Sequence, residues 1–101
     1  MIYKENEILE IGKKVLKDLQ GKYFVEKNIE KIFFNDEREL SRGDNKGTTH
    51  PCWTISINLP QFDSSNFLTI SDETGEPLYL QSAHKVAEIE KDIDGNYKRK
   101  E

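Results

Sequence analysis

The chain has one cysteine, one methionine, one tryptophan and three prolines, and it contains no long hydrophobic run. A lone Cys52 excludes an internal disulfide and fits a reducing compartment. The opening stretch, MIYKENEILEIGKK, carries charge throughout, so it reads as neither a secretory leader nor a membrane span, and a cytosolic location is expected. Basic clusters are scarce too. A formal net charge of −4 argues against nucleic acid, because displacing counterions from phosphates needs grouped Lys and Arg. A basic protein partner suits this balance better. A zinc site wants three or four donors, and one Cys with two His falls short, so no metal and no cofactor is expected.

What is present is enough for one domain, residues 1–101: 35% hydrophobic and 34% charged residues give a thin core under a charged surface. From Asn6 to Gln20, Ile8, Leu9, Ile11, Val15, Leu16 and Leu19 recur at helical spacing. Asn6 is placed to cap that helix, and Gly21 to end it. KYFVEKNIEKIFFN holds two aromatic clusters around a charged middle, and Ile32-Phe33-Phe34 reads as strand. DERELSRGDNKGTTHP, from Asp36 to Pro51, reads as a long exposed loop or strand extension. WTISINL alternates cleanly, with Trp53, Ile55, Ile57 and Leu59 inward and Thr54, Ser56 and Asn58 outward. Leu68 and Ile70 of the next strand join the inward set, as do Leu78 and Leu80 after a turn at Gly75 and Pro77. Thr69, Tyr79 and Gln81 complete a polar outward face. After Gln81, Val86, Ile89 and Ile93 at helical spacing read as a second helix, with an Asp94-Gly95 hairpin as the competing reading. Residues 94–101 are expected to be a frayed basic tail. The fold expected is α+β: an N-terminal helix on an antiparallel meander of about four strands, with a C-terminal helix.

Catalytic chemistry has few anchors. THPCW sets His50 two residues from Cys52, and a Cys-His pair can form an activated thiolate, but no third group is evident. The Arg42-Gly43-Asp44 triplet is a short match in a charged loop and is discounted. The acids Asp72, Glu73, Glu76, Glu88, Glu90, Asp92 and Asp94 outweigh Lys85 and Lys91 over their stretch. Asp72, Glu73, Glu76, Tyr79, Glu88 and Glu90 are accordingly the candidate partner-binding residues, with Trp53 kept for the core.

A tryptophan, an alternating strand, then an acid, Thr-Gly and an apolar pair are supplied here by Trp53, Asp72, Thr74, Gly75, Leu78 and Leu80. Over Trp53 to Gln81 this resembles the cystatin-like group of small α+β domains, including PepSY-type and NTF2-like ones. The resemblance implies no catalytic residues, and it points towards compact cytosolic members that are immunity proteins against bacterial toxins. The expected function is a non-enzymatic protein that neutralises a basic toxin domain by binding it, as a monomer or weak dimer, away from membrane and nucleic acid. The alternative is a small-ligand pocket or minor enzyme using Tyr23, His50 or His84 in the concavity between helix and sheet.

Overall fold

The computed structural model of the chain describes residues 2–40, 47–60, 63–82 and 85–100. Among the described residues there are one helix, α1 (Glu5–Gln20), two short 3-10 turns (Gly21–Tyr23 and Glu26–Asn28), and six strands. The strands are β1 (Ile29–Glu39), β2 (Thr49–Leu59), β3 (Ser64–Ser71), β4 (Pro77–Gln81), β5 (Val86–Lys91) and β6 (Tyr97–Arg99). They pair in chain order as an antiparallel sheet, β1-β2-β3-β4-β5-β6. The α+β class and the N-terminal helix are as expected, but there are six strands rather than four.

The helix starts one residue before Asn6, so Asn6 is not its cap. Glu7 instead reaches back, its Oε1 accepting from the Lys4 backbone N–H at 2.8 Å. The apolar stripe of α1 buries Ile8, Val15 and Leu16 against Trp53, Ile55 and Ile57 of β2, Leu68 and Ile70 of β3, and Leu80 of β4. Period-two alternation along β2 therefore put the correct face inward. Gly12 lies between helix and sheet, where a Cβ would collide with the Cδ1 of Ile55.

Leu78 departs from that face. A register shift between Thr69 and Ile70 sets Tyr79 opposite Thr69 but Pro77 opposite Ile70. The extra residue turns Leu78 away. It packs with Leu40, Cys52, Tyr79 and Val86 in a second small cluster.

The C-terminal segment is a hairpin and not a helix. Ala87 pairs with Leu80, Ile89 packs on the core, and Ile93 is fully exposed at 101%, so the apparent helical stripe has no common face. Asp92 builds the turn: its Oδ1 accepts from Asp94 N at 2.9 Å and Asn96 N at 3.0 Å, while Gly95 takes the left-handed φ of 84°. Nor are the described residues that follow frayed, because Asp18 Oδ2 accepts from Tyr97 N at 3.0 Å and Glu88 O from Lys100 N at 2.8 Å.

Of the segment from Asp36 to Pro51, expected as a long exposed loop or strand extension, residues 36–39 extend β1 and 49–51 open β2, while 41–46 lie outside the described residues. The Arg42-Gly43-Asp44 triplet and His84 lie outside the described residues. Among the described residues, no helix is long and apolar enough to cross a membrane.

Candidate functional site

The helix covers one face of the sheet. On the other, strand pairing sets Phe33, Thr54, Thr69, Tyr79 and Glu88 in one row, and Lys31, Ser56, Phe67, Gln81 and Val86 in the next. The small members of these rows are sealed. Thr54, Ser56 and Thr69 are buried, and so is the large Tyr79, so the outward face expected to be polar offers solvent Phe33 and Phe67 instead. Phe33 is 44% exposed and Phe67 39%, each paired with a small residue of β2. Arg38 reaches over Tyr79, its guanidinium 6.0 Å from the ring centroid and its Nε 3.4 Å from the hydroxyl. At the β1 margin, Glu30 Oε1 accepts from Ser56 Oγ at 3.4 Å and Ser65 Oγ at 3.2 Å. The face thus carries an aromatic pair, the carboxylates Glu30 on β1 and Glu88 on β5, and the cations Lys31 and Arg38.

The candidate partner residues separate into two groups. Glu73 and Glu76 are exposed in the β3–β4 turn; Glu88 is half-buried on the helix-free face; Glu90 lies 3.6 Å from Lys98. Asp72 and Tyr79 are buried, and neither presents a side chain to a partner. Burial alone would push the Asp72 carboxyl up, but hydrogen bonds from Ile2 N at 2.6 Å, Trp53 Nε1 at 2.9 Å and Tyr3 N at 3.1 Å hold it below the usual carboxylate range. Its work is internal. Alternation along β2 had marked Trp53 as core; that its indole N–H would select Asp72 had no signal in the sequence.

Cys52 is buried between Leu40 and Tyr79, and its thiol is pushed up to about 11, chiefly by burial. It keeps its proton at neutral pH and is a poor nucleophile. His50 is engaged elsewhere: Nδ1 lies 2.8 Å from Glu73 Oε1, and Nε2 2.9 Å from Thr48 Oγ1. This chain ties the start of β2 to the β3–β4 turn beside a shallow cavity of about 150 Å³ lined by Leu40, Ser71, Thr74 and Leu78.

Two larger clefts open at the far end of the helix. One, of about 340 Å³, is lined by Leu19, Gln20, Tyr23, Leu59, Asn66 and Arg99. The other, of about 530 Å³, adds Asp18, Glu90, Tyr97, Lys98 and Lys100 around the shared Leu19 and Arg99. Of the ligand-pocket residues expected, Tyr23 lines the smaller of these clefts and His50 the shallow cavity, while His84 lies outside the described residues. Gln20, Asn66 and Arg99 come from three separate elements, and no spacing in the sequence links them.

The fold defines an α+β domain with its helix on one sheet face and, among the described residues, no helix on the other. Comparison with known proteins finds no match: no protein-family model, no curated protein and no solved structure matches the chain.

Proposed function

We propose that the protein is a non-catalytic binding domain that docks a basic protein partner on the helix-free face of its sheet. The observation that carries this reading is the exposed pair Phe33 and Phe67, set over sealed small residues, with the carboxylates Glu30 and Glu88 on the same face. Aromatic side chains on a rigid sheet present large apolar area at little cost in side-chain entropy, and such anchors dominate binding energy. These carboxylates and the net charge of −4 favour a partner of opposite sign.

The partner class is a bacterial toxin domain that the protein neutralises by covering it. Support for this comes from the resemblance of Trp53 to Gln81 to the cystatin-like group of domains, whose compact cytosolic members include immunity proteins. The test is co-expression with the product of the neighbouring reading frame, scored by growth rescue and by co-purification. Rescue with a complex is expected for the wild type and for His50→Ala and Cys52→Ser, with loss of both in a folded Phe33→Ser/Phe67→Ser variant. Rescue that survives the aromatic substitutions removes this face from the interface. Absence of both rescue and complex overturns the immunity role.

A further inference from the structure

The paired clefts at the C-terminal end of α1 are independent of the docking face and go beyond the function proposed above. Two groups, Arg99 and Asn66, converge there without side-chain partners among the described residues. Arg99 lines both clefts and makes no ion pair among the described residues, although Asp18 and Glu90 line the larger one with it. Those two carboxylates are committed elsewhere: Asp18 to Lys14 Nζ at 2.8 Å and Tyr97 N at 3.0 Å, and Glu90 to Lys98 at 3.6 Å. Gln20 also lines the smaller cleft, but both its amide atoms are shut off from solvent, with no hydrogen-bond partner among the described residues, so they do not face the ligand space. Asn66, also a wall residue, is buried and makes no side-chain hydrogen bond among the described residues. Leu19, Leu59 and Tyr23 supply the apolar remainder.

We infer that this cleft binds a small organic anion with a flat apolar body, its carboxylate held by Arg99 and the amide of Asn66. A guanidinium is matched to a carboxylate by its planar fork. The Asn66 amide gives the site orientation, and Leu19, Leu59 and Tyr23 take the ring. Its volume of about 340 Å³ lies within the usual range for small-ligand sites. The negative end of the α1 dipole opposes an anion here, but Lys17 in the last turn offsets that partial charge.

The test is titration of the isotope-labelled full chain with phenylacetate, followed by NMR, with acetate supplying the anion without the ring and benzyl alcohol the ring without the anion. Saturable shifts at the side-chain amide of Asn66 and at Arg99 Nε–H are expected, with phenylacetate bound roughly tenfold more tightly than either fragment. Arg99→Gln and Asn66→Ala should each weaken phenylacetate, the first by about tenfold. Lys4→Gln, at the opposite end of the helix, should change nothing. Shifts confined to other regions, or unchanged affinity in Arg99→Gln, overturn the site. Acetate binding as tightly as phenylacetate marks an adventitious ion only and overturns it equally. Partner capture is read in a separate experiment, so either proposal can fail alone.

Discussion

The indole Nε1 of Trp53 donates to Asp72 Oδ1 at 2.9 Å, and the same carboxylate accepts from the backbone of Ile2 and Tyr3. One buried charge thus joins β2, the β3–β4 turn and the segment leading into the helix. The turn itself is built for this contact. Ser71 Oγ accepts from Glu73 N at 3.1 Å and Thr74 N at 3.3 Å, and Gly75, at φ 72°, leaves room for the ring of Tyr3 where a Cβ would fall 2.8 Å from it.

Asp72→Ala should therefore destabilise the fold by on the order of 3 kcal/mol, because donors now bonded to a charged group lose it together. The pH dependence follows from the sign of the shift. The folded-state pKa is below that of the unfolded chain, so the unfolded state takes up the proton first as pH falls. The stabilisation is complete above the unfolded carboxylate value, ~3.9, and is lost on descending through the lower folded value. Urea midpoints between pH 5 and pH 2 should fall less steeply in Asp72→Asn than in the wild type, as estimated from the linkage of protonation to folding. Equal slopes would mean that this carboxylate does not report on folding.

How far this was legible in the sequence depends on the range of the interaction. Alternation along WTISINL is local, and Trp53, Ile55 and Ile57 lie where it puts them. Asp72 reads locally as a turn residue on an acidic surface; its donors Ile2 and Tyr3 are about 70 residues away in the chain. Leu78 was misplaced because one bulge reverses the face of a strand, and a bulge has no composition signature in PLYL. The last segment was misread because Val86, Ile89 and Ile93 match a helical period by spacing alone, whereas β pairing with Leu80 and the Asp92 turn decide the outcome. The cleft was beyond reach for the same reason as Asp72, since Gln20, Asn66 and Arg99 meet only in three dimensions.

Gly12 and Ile55 test the helix–sheet contact. A methyl at position 12 would meet Ile55 Cδ1, and that side chain is fully buried with Ile70 Cδ1 close by at 3.8 Å from the same point. Overpacking of this kind costs about 1–3 kcal/mol, and the better helix propensity of alanine returns up to about 1. Gly12→Ala should lower stability by about 1–2 kcal/mol in chemical denaturation. Ile55→Val in the same chain should recover part of the loss, and failure to do so would place the strain elsewhere.

Thr54 and Thr69 pair across β2 and β3, and the Oγ1 of each is buried without a hydrogen-bond partner among the described residues. Unpaired hydroxyls in a dry environment are a net penalty that an isosteric methyl removes. Thr54→Val/Thr69→Val should stabilise the protein by about 1–2 kcal/mol, seen as a Tm several degrees higher. A drop in Tm would reveal that the hydroxyls are satisfied in solution, for instance by water.

Charge reversal separates electrostatic steering from apolar anchoring in the proposed complex. Asp72 must be left alone, because its substitution would unravel the turn rather than change the surface field. Glu73, Glu76 and Glu88 can be replaced together by Lys, since they lie on the turn and on the helix-free face with partial or full exposure. Surface changes usually alter stability by within about 0.5 kcal/mol each, with Glu73 also giving up its bond to His50. The folded variant should associate with a basic partner more slowly than the wild type at low ionic strength. That difference should shrink as salt is raised, because exposed charges are screened over about 10 Å at 0.1 M. Dissociation should change little, because the aromatic contacts of Phe33 and Phe67 would hold the complex once formed. Stopped-flow association rates across a salt series check both statements. An association rate that is equal in the two proteins at low salt would remove these carboxylates from the encounter and leave the aromatic pair as the sole determinant.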